Sequence, residues 1–301
     1  MRKVIGLLLA VVLVLSLVAC GDRANPVSDF DYGYDATLDG IVIKGYNSNT
    51  LKVKIPAKID GMPAVGIGKE AFKDKGIMEI SLPDTVTSIG EYAFEGCTGL
   101  TSITLPDSVT DIGIYAFKGC TGLAGIAFPD GMTEIGGGAF SQCTGLTSVT
   151  LPDSLTSLAR EAFWGCEGLT SITIPNGVTS IESSFNNCTG LTSVTIPDSV
   201  TRIGDYAFSN CAGLASIAFP DGMTEIGGGA FNQCTGLTSV TIPDGVQRIE
   251  DYTFRGCTGL TSVTIPDSVT EIHRDAFKGC TGLDAETTAR ILQINARANF
   301  E

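Results

Sequence analysis

Ten cysteines are the residues best suited to chemistry in this chain, and nine of them recur at a nearly constant interval. Successive gaps are 23 residues, except for 22 residues between Cys166 and Cys188. Such thiols could form disulfides, bind a metal or pack as small apolar side chains. The nine residues are Cys97, Cys120, Cys143, Cys166, Cys188, Cys211, Cys234, Cys257 and Cys280.

The regular spacing favours packing over the other two roles. Copies of one position that stack on each other hold their Cβ vectors parallel, which is poor geometry for a disulfide. A metal site needs several ligands close together, and the sequence contains no Cys-x-x-Cys pair. We therefore expect nine buried free thiols and no metal centre.

Other candidates for chemistry are few. His273 is the single histidine, and no Gly-x-Ser-x-Gly motif accompanies it, so a surface role is favoured over a catalytic triad. Neither Gly66–Lys69 nor Gly136–Gly138 has the spacing of a phosphate-binding loop. We expect no enzyme and no cofactor.

An aspartate recurs once per repeat after a proline. Aligned carboxylates could hold calcium, although turn formation is the simpler interpretation. These residues are Asp84, Asp107, Asp130, Asp153, Asp198, Asp221, Asp244 and Asp267, with Asn176 in the remaining repeat.

The elements that position these residues are copies of one unit. A leucine follows each cysteine by three residues, and apolar residues follow by six and eight, as in Ile103 and Leu105. This alternation predicts a short strand with one buried face, which a proline then ends. A fixed period of this length indicates a solenoid of stacked coils.

A phenylalanine column gives the number of coils. Identical residues in successive coils should stack about 4.8 Å apart, so ten coils would form a body roughly 45–50 Å long. The column is Phe72, Phe94, Phe117, Phe140, Phe163, Phe185, Phe208, Phe231, Phe254 and Phe277.

The pattern Leu-x-x-Ile-x-Ile-Pro with Ile-Gly-x-x-Ala-Phe-x-x-Cys resembles the BspA-like leucine-rich repeat family of bacterial surface proteins, over about residues 30–283. The resemblance implies a curved, right-handed solenoid with a parallel sheet on its concave side. It also implies short helical or extended segments on the convex side. A parallel β-helix is the alternative fold, which the expected helical content of the Ala-Phe-x-x-Cys half disfavours.

The N-terminus is typical of an exported protein. Arg2 and Lys3 precede an apolar run over residues 4–18, which predicts a signal peptide over residues 1–19. Leu17-Val18-Ala19-Cys20 resembles the bacterial lipobox, with a plain secretory signal as the alternative. The resemblance implies lipidation of Cys20, a tether over residues 20–29 and a lipid-anchored protein on the bacterial cell surface.

Both ends of the solenoid need caps, because terminal coils would otherwise expose their core. Alternation over residues 36–55 predicts a β-hairpin cap within about residues 30–60, with residues 46–50 as its turn. Residues 284–301 predict a capping helix with Asp284 as N-cap. Its apolar side would carry Ile291, Leu292 and Ile294. The coil at residues 181–185 lacks one residue, which predicts a local irregularity.

Charge and surface composition limit the partners. The formal net charge of −14 disfavours nucleic acid and anionic lipid surfaces. The outward strand positions are mostly hydroxyls, which could bind a sugar or form an inert face. They are Ser102, Thr104, Ser148, Thr150, Ser193, Thr195, Ser239, Thr241, Ser262 and Thr264.

The positions that vary between repeats are the better candidates for binding. They carry residue types that dominate protein hot spots, although their rings could simply cover the phenylalanine column. The family resemblance implies a protein partner, such as a host extracellular-matrix or serum protein, bound by a monomer. A carbohydrate- or envelope-binding module and a structural spacer are the alternatives. The candidate residues are Tyr92, Tyr115, Arg160, Trp164, Tyr206, Tyr252 and Arg255.

Overall fold

The structure is a computed structural model that describes residues 23–301. The predicted signal peptide and Cys20 lie outside the described residues. Within them, the chain forms a parallel β-solenoid of about ten turns, which confirms the prediction of a repeat solenoid.

Most coils carry a three-residue strand that precedes a proline and a two-residue strand that follows it. The three-residue strands are β6 (Glu79–Ser81), β8 (Ser102–Thr104), β10 (Gly125–Ala127), β12 (Ser148–Thr150), β14 (Ser171–Thr173), β16 (Ser193–Thr195), β19 (Ser239–Thr241) and β21 (Ser262–Thr264). The two-residue strands are β7 (Ser88–Ile89), β9 (Asp111–Ile112), β11 (Glu134–Ile135), β13 (Ser157–Leu158), β15 (Ser180–Ile181), β17 (Arg202–Ile203), β18 (Glu225–Ile226), β20 (Arg248–Ile249) and β22 (Glu271–Ile272).

Parallel pairing without register shifts aligns equivalent residues of successive coils. Ile80 pairs with Ile103 in one sheet, and Ile89 pairs with Ile112 in the other. The coil without a three-residue strand keeps a single bridge from Ser216 to Ser239. We call the sheet of three-residue strands the hydroxyl face, because its serines and threonines point outward around a buried apolar centre, as in β8.

A third side closes each coil. We call it the turn face, and it consists of the segments that join each two-residue strand to the next cysteine. It has its own backbone ladder, in which the Phe94 N–H donates to the Ala116 carbonyl at 2.7 Å and the Phe117 N–H to the Ala139 carbonyl at 2.7 Å. Short helical or extended segments were expected here, and the helical alternative is wrong. Residues in the left-handed conformation, such as Tyr92 and Gly96, interrupt the segment twice in most coils.

The ten phenylalanines form one stack in the core. Neighbouring ring centroids from Phe72 to Phe277 lie 5.0–5.8 Å apart, and neighbouring rings are inclined by 3–14°. Tyr46 and Phe30 extend the stack at its N-terminal end with centroid distances of 5.2 and 5.6 Å. The stack therefore runs through the cap as well as the coils.

The nine cysteines of the repeats are free and buried, as predicted. Each thiol also donates a hydrogen bond to the carbonyl of the phenylalanine one coil earlier, with sulfur–oxygen distances of 3.0–3.2 Å. The thiols therefore link coils in addition to filling space.

The N-terminal cap differs from the predicted hairpin. A 3₁₀ turn (Val27–Asp29) leads into β1 (Phe30–Asp35), which pairs antiparallel with β2 (Gly40–Tyr46). Strand β3 (Lys52–Lys54), the expected second arm, instead joins the hydroxyl face beside β6. The prediction of pairing across residues 46–50 is wrong, because these residues turn a corner of the coil and do not reverse the chain.

A second, shorter hairpin completes the cap. Strand β4 (Lys58–Ile59) pairs antiparallel with β5 (Met62–Ile67), and β5 also pairs parallel with β2. The turn between them contains Asp60 and Gly61, both with positive φ, as the tight hairpin turn requires.

The C-terminal cap covers the last coil. Helix α1 (Ala285–Ile294) begins at Asp284, whose carboxylate accepts a hydrogen bond from the Thr287 N–H at 2.7 Å. The Thr287 hydroxyl in turn accepts from the Val263 N–H of β21 at 3.1 Å. Asn295 donates to the Ile272 carbonyl of β22 at 2.8 Å. Ile291 is buried, whereas Leu292 is 40% exposed and does not pack on the core.

The short coil is irregular, as its length indicated. Residues 181–185 contain no left-handed residue, whereas the preceding coil has one at Glu161. Ser184 replaces the alanine that precedes the core phenylalanine in most coils. Its buried hydroxyl donates to the Ala159 carbonyl at 3.0 Å.

Candidate interaction surface

The four candidate tyrosines share one position on the turn face, the second variable residue of Ile-Gly-x-x-Ala-Phe. We call them the tyrosine column, and they are Tyr92, Tyr115, Tyr206 and Tyr252. All four have left-handed backbones, with φ of 54–61°. This conformation is rare for bulky residues and costs roughly 1–2 kcal/mol per residue for a side chain with a Cβ.

Other coils show which residues suit this position better. Gly138 and Gly229 occupy it in the coils that follow Tyr115 and Tyr206, with φ of 62° and 63°, and Glu70 and Glu161 occupy it with φ of 58° and 61°. Glycine adopts the left-handed conformation without strain. The tyrosines therefore carry a backbone strain that glycine would avoid, which points to a role for their side chains.

The first half of the column combines aromatic rings with cations. The Tyr92 and Tyr115 rings stack with centroids 5.4 Å apart. Lys73 lies 5.4 Å from the centre of the Tyr92 ring, and Lys118 lies 5.3 Å from that of Tyr115. Ile114, which is 50% exposed, adds an apolar side chain beside them.

Ion pairs hold these lysines in place. The Glu95 carboxylate lies 2.9 Å from Lys73 Nζ and 3.1 Å from Lys118 Nζ. Partial burial alone would raise the pKa of Glu95, but hydrogen bonds from the two ammonium groups outweigh it and lower the pKa. Lys69 pairs in the same way with Glu91 at 2.8 Å.

Glycines of the next coil leave space for two of the tyrosine rings. A Cβ at Gly138 would lie 2.0 Å from the Tyr115 ring, and one at Gly229 would lie 2.5 Å from the Tyr206 ring. Each ring therefore occupies the space that a side chain at the glycine of the next coil would fill. The Tyr115 hydroxyl then reaches the Glu161 carboxylate at 3.1 Å, which raises the pKa of Tyr115 through that hydrogen bond.

The three candidates that are not tyrosines lie at different positions relative to the tyrosine column. The Arg255 guanidinium lies 5.2 Å from the centre of the Tyr252 ring, so these two residues act together. Arg160 is exposed on the adjacent column of the same face. Trp164 is half-buried in a groove closer to the cysteines and is not part of the tyrosine column.

Sequence reasoning missed the lysines of this surface. Lys69, Lys73 and Lys118 lie on positions equivalent to or next to those of the candidates, so their placement beside the tyrosines follows from the coil period. The sequence feature that could have revealed them is a cation that recurs within three residues of an aromatic side chain, as in Tyr115 and Lys118.

The lone histidine lies among carboxylates. His273 Nε2 lies 3.1 Å from Glu250 and 3.7 Å from Glu271, and its Nδ1 lies 3.5 Å from Asp251. Over residues 23–301, no group of three or more His, Cys, Asp or Glu side chains is arranged to hold a metal ion. In the same part of the chain, no helix has the length and apolar character needed to span a membrane.

The hydroxyl face has a groove at its N-terminal end. Ser102 and Thr104 of β8 are exposed, as are their equivalents Ser171 and Thr173 of β14. The groove encloses about 720 Å³ and is lined by polar residues that include Glu79, Ser102 and Thr104.

Comparison with known proteins places these features in a family. The model of the BspA-type leucine-rich repeat region matches residues 65–185 and 182–298. No curated protein matches the chain.

Several solved structures are similar to this chain. A leucine-rich repeat protein from Bacteroides ovatus is 30% identical, with 87% of this chain and 81% of that chain covered and a TM-score of 0.66. A leucine-rich cell surface protein from Faecalibacterium prausnitzii is 29% identical, with 88% and 94% covered and a TM-score of 0.43. The pneumococcal vaccine antigen PcpA is 19% identical, with 83% and 73% covered and a TM-score of 0.50.

The family match spans most of the described chain and includes the repeats that carry the phenylalanine, cysteine and tyrosine columns. A solenoid of this kind is typically a binding scaffold without enzymatic activity, and the match indicates no enzyme family. The chain belongs to the BspA-type leucine-rich repeat family.

Proposed function

We propose that this protein is a lipid-anchored bacterial surface protein that binds another protein through the tyrosine column and its flanking cations. The observation that carries the proposal is the left-handed backbone of Tyr92, Tyr115, Tyr206 and Tyr252. Strained positions that persist against backbone preference point to a role for the side chain.

The chemistry of the surface fits a protein partner. Tyrosine and arginine are enriched in protein hot spots, and Tyr92, Tyr115 and Arg255 present them beside charged groups. The rings are already held by stacking and by cations, so little side-chain entropy is lost on binding. The family supports this role, since leucine-rich repeat solenoids serve as interaction scaffolds.

Binding to host proteins tests the proposal. Full-length protein would be applied to immobilised fibronectin, laminin, collagen and fibrinogen, representing matrix and serum proteins. The variant pair Tyr92→Gly with Tyr115→Gly keeps the left-handed backbone and removes both rings, and we expect at least a tenfold loss of affinity. The matched control is Tyr34→Ala, which removes an exposed tyrosine from the N-terminal cap. Equal loss in the control, or none in the pair, would reject this surface.

Anchoring is tested separately at Cys20. Cells grown with an alkyne-tagged fatty acid should label the wild-type protein and leave Cys20→Ser unlabelled, and membrane fractionation should release the variant. A plain secretory signal would instead give an unlabelled wild-type protein in the medium.

We also propose that the protein is a monomer, which light scattering of the detergent-solubilised protein would test.

A further inference from the structure

A groove around Trp164 has a different composition from the tyrosine column. It encloses about 370 Å³ and crosses five coils, from Gly119 to Asn210. At about 4.8 Å per coil, its length is about 20 Å. Trp164 is the only tryptophan of the chain, and its half-exposed ring forms part of the wall.

The other groups in the groove are small polar side chains at equivalent positions of successive coils. Amides come from Gln142, Asn187 and Asn210, and one carboxylate comes from Glu167. Hydroxyls come from Thr121, Thr144 and Thr189. No lysine or arginine lines the groove. It therefore presents repeated hydrogen-bonding groups with little charge.

Gln142 has a backbone conformation that glutamine rarely adopts, and it shares this conformation with Gln233, which lies outside the groove. The residue before each cysteine of the groove coils is left-handed, and Gly119 and Gly165 adopt this conformation without strain. Asparagine tolerates it, as at Asn187 and Asn210, but glutamine is not among the residues enriched there. Gln142 nevertheless has a φ of 59°.

Several of these groups have no partner within residues 23–301. The Trp164 indole N–H, the Gln142 amide and the Glu167 carboxylate make no hydrogen bond or ion pair there. Asn210 Nδ2 donates to Asn187 Oδ1 at 2.7 Å, which fixes the two amides against each other. The Asn187 amide hydrogens and the Asn210 carbonyl oxygen remain available to a ligand.

We propose that this groove binds a neutral oligosaccharide. Sugar hydroxyls both donate and accept hydrogen bonds, and side-chain amides do the same, so one amide can serve two neighbouring hydroxyls. The C–H face of a pyranose ring is apolar and packs on an indole face, for which Trp164 is the one large ring available. The constant spacing of the coils suits a polymer of regular repeat.

Charge excludes polyanionic sugars from this site. The chain carries a net charge of −14, and Glu167 is the charged side chain of the groove. A sulfated or phosphorylated glycan would be repelled. The proposal goes beyond the protein-binding function, since it uses a separate set of side chains.

The single tryptophan makes the test direct. Full-length protein would be titrated with five-sugar oligomers of β-1,4-glucan, β-1,4-mannan and chitin while Trp164 emission is recorded. We expect a saturable shift with at least one oligomer and none with heparin. Gln142→Gly should weaken that binding at least fivefold, and Trp164→Ala should weaken it at least tenfold by calorimetry.

Gln233→Gly is the matched control, because Gln233 occupies the same left-handed position outside the groove. Its affinity should equal that of the wild type, and circular dichroism should show that all variants keep the fold. The proposal is overturned if no oligomer shifts the emission, or if Gln142→Gly binds as well as Gln233→Gly. A shift produced by a Gly/Ser-rich peptide and by no sugar would overturn it in favour of an extended peptide.

Discussion

The Sγ atom of Cys188 lies 3.2 Å from the carbonyl oxygen of Phe163, which belongs to the preceding coil. The same contact recurs at each of the nine repeat cysteines and joins every coil to the one before it. A thiol in this position is a hydrogen-bond donor and must remain protonated to serve as one.

The thiols should make the fold sensitive to alkaline pH. Burial raises the pKa of Cys97, Cys143, Cys188 and Cys234 to about 12, from 9.0 in an exposed thiol. Above pH 9 the unfolded chain loses thiol protons that the folded chain keeps, so stability falls as the pH rises towards 12. The slope is up to about 1.4 kcal/mol per pH unit for each thiol.

Urea unfolding between pH 8 and pH 11 measures this slope. In Cys188→Ala the fall should be shallower, because one titrating thiol is missing while lysines and tyrosines titrate as before. Equal slopes in the two proteins would contradict the assignment.

Ser184 should contribute more to stability than its neighbour Ser183. Ser184→Ala removes the buried donor to the Ala159 carbonyl, and we expect a loss of about 1 kcal/mol in the free energy of unfolding. Ser183→Ala is the control, since Ser183 is half-buried and should change stability by less than about 0.5 kcal/mol. Chemical denaturation of both variants measures the two changes in the free energy of unfolding. A larger change for Ser183→Ala than for Ser184→Ala would contradict the prediction.

The left-handed backbone of Tyr206 predicts an unusual order of stability. Tyr206→Gly should be more stable than Tyr206→Ala by about 1 kcal/mol, because only glycine relieves the strain at a φ of 54°. Differential scanning calorimetry of the two variants tests this. The reverse order is expected at an ordinary exposed position and would show that the backbone there is not left-handed.

Thr287 should be essential to the C-terminal cap. Thr287→Val keeps the shape and leaves the buried Val263 N–H without an acceptor, and we expect a loss of about 1–3 kcal/mol. Thr287→Ser retains the hydroxyl and should lose less than half as much. Thermal unfolding of both variants provides the comparison, and equal losses would mean that packing rather than the hydrogen bond matters.

The repeated part of the fold was predictable because the same residue type recurs in the same environment in nine or ten coils. Phe94 and Cys97 could be assigned to the core from periodicity alone, and both are fully buried. The caps were less predictable, since they occur once. Tyr46 was read as a turn residue, yet it stacks at 5.2 Å on Phe72 as a continuation of the core.

The candidate surface shows the same limit. The tyrosines were found by their residue type, but their left-handed backbone depends on how adjacent coils pair. Likewise, the thiol hydrogen bonds could not be predicted, because residue type does not tell which carbonyl lies opposite Sγ across a coil boundary.

The thiol-to-carbonyl contacts also determine how the molecule should respond to mechanical force. Each contact joins a coil only to the one before it, as do the ring stacking and the backbone ladders. Tension applied between the ends would therefore peel the solenoid coil by coil. Each event would release about 23 residues, or roughly 80 Å of extended chain. Under load, the protein would lengthen in equal steps and act as an extensible tether.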